Sequence, residues 1–462
     1  MPTNLSKSLV ERIAQIRTTG LTPEVEHQAK RCLLDYLGAA YAGARMLEKK
    51  ACSLLEMDGP PAGKATAIGF PRKVSLLMAS FVNGLSSHVA EMDDGARFGM
   101  VHPGSPILSA LLPAAEQFRV RRADLLLGIV AGYETTLRIS TSIQPSHYQR
   151  GYHPTATCGS IGAAVGLATM LGLDFEKTEH ALAAAAVTAS GTLKVIGGDS
   201  ELKPFNTAHA AASAVQSFMV AKAGFPGPLD SLSGTNGFLS MCSDRCDSSR
   251  ILNDCDAGLW ILKIYVKPYA ACRHAHPAIE ACISVGDNPA FNLQNIKEIK
   301  VITYGGLAGR HDHRRASSIS SAKMSIPLSV AISLVRRGAN IGDFTENAIR
   351  DPFTCSLAEK VSIIEDPELT AQVPEKRAAL VEIHYTCGKV IRASSVFPKG
   401  EPENPMSDSE LKDKFITLSA SGGISLKQAN TLIDTVLNLP DSLESFFLRI
   451  QIPPYSSPKH RD

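Results

Sequence analysis

Between residues 88 and 105 the chain reads HVAEMDDGARFGMVHPGS, with two adjacent acids, Asp93 and Asp94, followed by Arg97 and by His102 in a His-Pro-Gly step. Gly95, Gly99 and Gly104 break regular structure there, and the small-residue run SPILSALLPAAEQF that follows starts a helix at Ser105 or Pro106. Acids, a cation and a histidine are thereby presented at a helix N-terminus, where backbone N–H groups attract anions. A solvated connecting loop with an Asp cap is the competing reading. The pattern repeats in RGYHPTATCGSIGAA, where His153 and Thr155 precede another small-residue helix. In GGDSELKPFNTAHAAASAV, Lys203 enters an alanine-rich helix that carries His209. Such a lysine is either a snorkelling surface residue or a buried cation facing a site. YVKPYAACRHAHPAIEAC gathers Lys267, Tyr269, Arg273, His274 and His276, and RHDHRR adds His311 and His313 as a charged loop. His274 and His276 are two apart, a spacing that points side chains apart on a helix, so no metal site is expected.

Taken together these are carboxylates, histidines and cations without a phosphate loop, a GxGxxG element or a nucleophile elbow. That set suits a small polycarboxylate. Removing a proton next to a carboxylate builds extra negative charge, which fixed cations and hydrogen-bond donors stabilise. A base and an acid would each contribute about 10² to 10⁴ in rate.

The elements that must position these groups are mostly helical up to about residue 265. Thr22 is placed to cap a helix with Pro23 at its first position and Glu24 just behind. Helices rich in Ala, Gly and Ser, apolar nearly all round, belong in a core. Further on, IKEIKVITYGG reads as a strand, and KRAALVEIHYTCGKVIRASSVFP as two strands joined at TCGK. The helical run SSAKMSIPLSVAISLVRRG lies between them, giving an α+β domain over about 268–400. Ser407 or Asp408 caps a further helix with Glu410 in its first turn, and the tail over about 406–450 is helical and suited to pack back on the first domain.

With 462 residues, a formal net charge of +2, 44% hydrophobic and 20% charged residues, the composition is that of an ordinary soluble protein of two or three domains. The charge balance speaks against nucleic acid and polybasic membrane surfaces as partners. No apolar run of about 18 residues suggests a membrane span, and the N-terminus lacks a signal peptide's apolar core. Ten cysteines without a CxxC pair read as reduced thiols in a cytoplasmic protein.

The segments MDDGARFGMVHPGS, GYHPTATCGSIGAA, LKPFNTAHAA, VKPYAACRHAHPAIEA, SAKMSIPLSVA and FPKGEPENPMSDSEL, in this order, resemble the MmgE/PrpD family. That family includes 2-methylcitrate dehydratase, cis-aconitate decarboxylase and iminodisuccinate epimerase. The resemblance implies a mainly α protein with an α+β second domain: a large all-helical domain from both chain ends (1–266 and 403–462) and a smaller α+β lid (267–402). It also implies a homodimer and a cofactor-free site between the domains. Carried over by position, it gives Asp93, His102, His153, Lys203 and Lys267 to catalysis, and Asp94, Arg97, Thr155, Arg273 and Lys323 to substrate binding, with Arg273 as a carboxylate clamp. The chain departs from the family at EMDDG, where Glu91 stands at the first acid's place and Gly95 replaces a threonine. The loop before His102 is one residue longer, the DDG-x-R loop leaves room for Arg97 to enter the site and bind another carboxylate, and Leu328 takes the place of a tyrosine of the decarboxylase branch. The expected activity is dehydration like that of 2-methylcitrate, with His153 or His102 as base and the other, or Asp93, as acid. Epimerisation of a dicarboxylate such as iminodisuccinate comes next, decarboxylation third, and a non-catalytic carboxylate-binding protein is the rival from outside enzymology.

Overall fold

Short polar residues mark where the helices begin. Asn4, Thr22, Ser75 and Asp174 each accept a hydrogen bond from a backbone N–H of the helix that follows: Leu5–Thr19, Pro23–Met46, Leu76–Val89 and Phe175–Thr188. Each such cap contributes about 1 kcal/mol. Ser407 forms a full capping box with Glu410 ahead of Asp408–Ser421, and Ser425 does so with Gln428 ahead of Leu426–Leu437. The computed structural model describes residues 4–59, 63–197, 200–256 and 258–451.

The fold is mainly α with an α+β part, and the chain divides into two units. The described residues of 1–193, 203–264 and 407–462 form the larger; those of 194–202 and 265–406 form the smaller. Small residues set the packing of the larger unit. Helices Arg122–Ile143 and Pro154–Met170 meet almost backbone to backbone: a Cβ on Gly162 would lie 1.8 Å from Thr136 Oγ1 and 2.6 Å from the Gly132 carbonyl. Every residue of Pro154–Met170 is buried. The C-terminal helices join this unit through Lys414, which pairs with Asp35 and donates to the Met92 carbonyl at 2.7 Å. Removing one partner of such a buried pair costs about 3–5 kcal/mol, so the chain's end holds the segment that carries the acidic loop. The unit departs from the all-helical expectation at two short strands, β1 (Ala65–Thr66) and β2 (Lys73–Val74), paired antiparallel.

In the smaller unit, β3 (Ile296–Thr303), β4 (Val361–Glu365), β5 (Ala379–Tyr385) and β6 (Val390–Ser395) form one sheet in the order β4-β3-β5-β6. β3 runs parallel to β4 and antiparallel to β5. The turn at TCGK closes the expected hairpin of β5 and β6, with Gly388 at φ 86°. The sequence reading missed β4, an edge strand whose burial fades along its length instead of alternating. The expected helical run is broken at Ser325, whose hydroxyl caps a second helix, Ile326–Arg336. Helix His276–Gly286 covers β5 and β6. Among the described residues no helix is long and apolar enough to cross a membrane, and none of the ten cysteines is in a disulfide.

Candidate active site

The helix Leu76–Val89 ends at Ala90, and Glu91 takes a left-handed backbone conformation at φ 57°. For a non-glycine residue that costs roughly 1–2 kcal/mol, and strain of this kind collects at functional sites. The turn brings Asp93 back under the helix it has left: Asp93 Oδ2 lies 2.7 Å from His88 Nδ1 and accepts from Ser105 Oγ at 2.8 Å. The acidic loop then closes on itself through the bridge between Ala96 and Val101. Asp94 stands behind the site. Its Oδ1 accepts from the Gly104 N–H at 3.0 Å and its Oδ2 from Tyr133 OH at 2.5 Å. Both oxygens are therefore engaged, one at the start of helix Gly104–Gln117 and the other with Tyr133 of helix Arg122–Ile143, so Asp94 ties these two helices together. Burial first, and then the neighbouring Asp35, push its carboxyl up to about 7.

The two loop histidines are wired oppositely. His102 N–H donates to Thr155 Oγ1 at 3.0 Å, and its Nδ1 lies 2.7 Å from the Asp94 carbonyl. A carbonyl only accepts, so Nδ1 carries the proton and the lone pair is on Nε2. His153 sits just ahead of helix Pro154–Met170, and its Nδ1 lies 3.2 Å from Asn206 Nδ2. That amide nitrogen also donates to the Thr192 carbonyl at 3.2 Å, which fixes it as the NH₂ group. His153 Nδ1 is then the acceptor, and in the neutral ring Nε2 carries the proton. These assignments follow from the hydrogen-bond network. Burial first, and then the neighbouring His88, Lys203 and His102, hold His153 well below the usual histidine range, so the ring is neutral.

His88 lies between them, its ring centroid 5.2 Å from that of His102 and 6.1 Å from that of His153. Its side chain is fully buried, and its Nε2 has no hydrogen-bond partner among the described residues. Lys203, at the start of helix Lys203–Lys222, pairs with Glu91. The larger unit thus gathers Glu91, Asp93, His102, His153, Thr155 and Lys203 around a third histidine. His88, Glu91 and Asn206 were not among the sequence-derived site residues. The signals available were the histidine opening the acidic stretch, the acid two residues before Asp93, and a polar residue three positions after Lys203 on the same helix. Arg97 is buried and lies over the Phe98 ring at 4.7 Å. His209 is exposed, 3.2 Å from Ser190 Oγ.

The smaller unit holds the other cations. Lys267 and Lys323 are fully buried. The Cys272 N–H donates to the Lys323 carbonyl at 2.8 Å, joining their two segments. Arg273 lies over the Tyr265 ring at 4.9 Å and pairs with Glu401, so one side of its fork is occupied, while its Nη1 has no hydrogen-bond partner among the described residues. His276 Nε2 donates to the Ala271 carbonyl at 3.1 Å. His311 corrects the sequence reading: it is buried, not part of a solvated charged loop, and its ring centroid lies 4.9 Å from that of His274.

A helical unit bearing buried acids and histidines, with a separate α+β unit bearing buried cations, is the class of molecule defined so far. Residues 7–250 match the MmgE/PrpD N-terminal domain and residues 269–439 the MmgE/PrpD C-terminal domain. The chain belongs to the MmgE/PrpD family. It is 26% identical over 433 residues to a cis-aconitate decarboxylase of Aspergillus terreus, covering 88% of each chain. It is 24% identical over 461 residues to the cis-aconitate decarboxylase of Homo sapiens, covering 95% of this chain and 92% of that one. With the cis-aconitate decarboxylase-like protein oryM of Aspergillus oryzae it shares 23% identity over 465 residues, 96% of this chain and 95% of that one.

Proposed function

We propose that this protein is an enzyme that moves a proton at the carbon next to a carboxylate of a small di- or tricarboxylic acid, and that its reaction is loss of water. The observation that carries this reading is the pair of opposite tautomers in one buried cluster. His102 offers an Nε2 lone pair, and His153 offers an Nε2–H that stays neutral. Accessibility separates the base from its neighbour: the His102 side chain is 14% exposed and that of His88 is fully buried. His102 takes the proton from carbon. The electron pair spreads onto the adjacent carboxylate, where the His153 N–H and the Lys203 ammonium stabilise the enediolate-like charge. The hydroxyl on the neighbouring carbon leaves as water with the proton that His102 has taken, so the enzyme ends as it began. A neutral histidine donor suits this work, because it polarises an oxygen without surrendering its proton.

Decarboxylation is the second reading, and the curated relatives favour it. There the carbon–carboxylate bond breaks and protonated His102 delivers a proton to the carbanion. Leu328, at the place where the resemblance leads one to expect a Tyr of the decarboxylase branch, weighs against it.

Proton NMR in D₂O with 2-methylcitrate, citrate, cis-aconitate, malate-type acids and iminodisuccinate tests both. A new alkene without loss of carbon dioxide supports dehydration. Carbon dioxide release turns the reading to decarboxylation, and deuterium entering an unchanged skeleton turns it to epimerisation. Binding of these acids with no exchange into any of them would overturn the enzymatic proposal in favour of a carboxylate-binding protein.

A further inference from the structure

Within the smaller unit, Cys272, His274 and His311 bring one potential ligand atom each to within 4.8 Å of one another, the one such group among the described residues. They come from two separate segments. Cys272 and His274 flank Arg273 at the turn Arg273–Ala275, and His311 lies in the loop between β3 and the helix Ile319–Met324. We propose that these three side chains bind a soft divalent transition-metal ion of the zinc type.

The donor chemistry supports this. One thiolate and two imidazoles form a zinc ligand set that leaves a fourth position for water. The histidines are oriented from behind, as metal-bound histidines are. His311 Nδ1 lies 2.9 Å from the Met324 carbonyl, which places its proton there and directs Nε2 to the metal. His274 Nδ1 lies 2.7 Å from Tyr304 OH, which gives that ring an outer partner too. Ligand atoms around tetrahedral zinc stand about 3.5 Å apart, given bond lengths of about 2.0–2.3 Å, so the cluster closes on an ion by about 1 Å of side-chain movement. His313 is not one of the converging side chains, and its Nε2 is engaged with the Ser321 carbonyl at 3.0 Å. Because Cys272 N–H is bonded to the Lys323 carbonyl, an ion here clips together the segments carrying Arg273 and Lys323. Bound there, the ion stiffens the backbone on either side of two buried cations.

The test uses the full chain, purified under reductant, stripped with chelator and titrated with Zn²⁺ and with Co²⁺. The expected result is one ion per chain, a higher Tm with Zn²⁺, and with Co²⁺ a thiolate charge-transfer band together with strong visible absorption. Cys272→Ser removes the charge-transfer band and His311→Ala abolishes tight binding, while Cys387→Ser, at an exposed cysteine, leaves both intact. Tyr304→Phe weakens affinity about 10- to 100-fold and serves where His311→Ala fails to fold, as judged by circular dichroism. No stoichiometric binding, or binding unchanged in Cys272→Ser and Tyr304→Phe, would overturn the proposal. Turnover in the chelated protein is read separately, so failure of this site and failure of the proposed reaction are distinguishable.

Discussion

His102 and His153 share a local grammar. Each ends a glycine-containing loop, each is followed by proline, and each leads into a helix of small residues. On residue types alone they are interchangeable. In the fold, one rests its Nδ1 on a backbone carbonyl and the other receives an amide N–H at the same atom. The two rings therefore present opposite chemistry from their outer nitrogens, a lone pair and a proton. What separates them is a partner brought from elsewhere in the chain: Asp94 folded back beneath His102, and Asn206 carried to His153 by a helix that begins fifty residues later. A motif names a residue, and its hydrogen-bond partner assigns it a task.

The strongest way to break this comparison is to remove the base. His102→Gln is expected to lower kcat/KM by about 10² to 10⁴ and to abolish deuterium exchange into substrate, with the circular dichroism spectrum unchanged. If exchange survives, His102 is not the proton acceptor. A sharper variant makes one histidine into a copy of the other. Asn206→Asp puts an acceptor where the donor stood, moves the His153 proton to Nδ1 and is expected to cost about 10² in kcat. Nitrogen-15 NMR of the imidazoles checks it: wild-type His153 is expected to remain the neutral Nε2–H form from pH 8 to below 6.5, and the variant to show the other tautomer.

Smaller effects test the scaffold beneath the pair. Gly162→Ala drives a methyl into Thr136 and the Gly132 carbonyl, and is expected to cost about 1–3 kcal/mol of stability, read as a lower urea midpoint at unchanged slope. Asp94 is read through pH. Its folded pKa of about 7 lies above the ordinary 3.8, so the folded state holds this proton more tightly than the unfolded chain does. The group's stabilising contribution is complete below pH 4 and is lost as pH rises toward 7. Asp94→Asn keeps a donor and an acceptor for Gly104 and Tyr133, and is expected to lose less Tm than wild type between pH 4 and pH 7. An equal loss in both would show that Asp94 is ionised in the fold.

Local chemistry was legible without the structure where a residue acts on its own neighbours. Thr22, Ser407 and Glu410 cap as their types require, the TCGK turn closes its hairpin, and small residues line the buried helices. The loops carrying Asp93, His102, His153 and Lys203 announce themselves by composition, because glycine, proline and a charge ahead of an apolar run have few other uses. Spacing reaches only so far. β4 was missed because an edge strand with one fading face has no period to detect. The spacing of His274 and His276 describes that pair correctly and is silent about His311, which arrives from a loop in another segment. Glu91 meets Lys203, and His88 meets His153, through contacts that no window of sequence contains. The sequence by itself determined which groups are present and which helix starts hold them, since caps, turns and periodicity are short-range effects. Only the tertiary structure decided which nitrogen of each histidine carries its proton, because that choice belongs to whichever donor or acceptor the packing of distant helices places beside the ring.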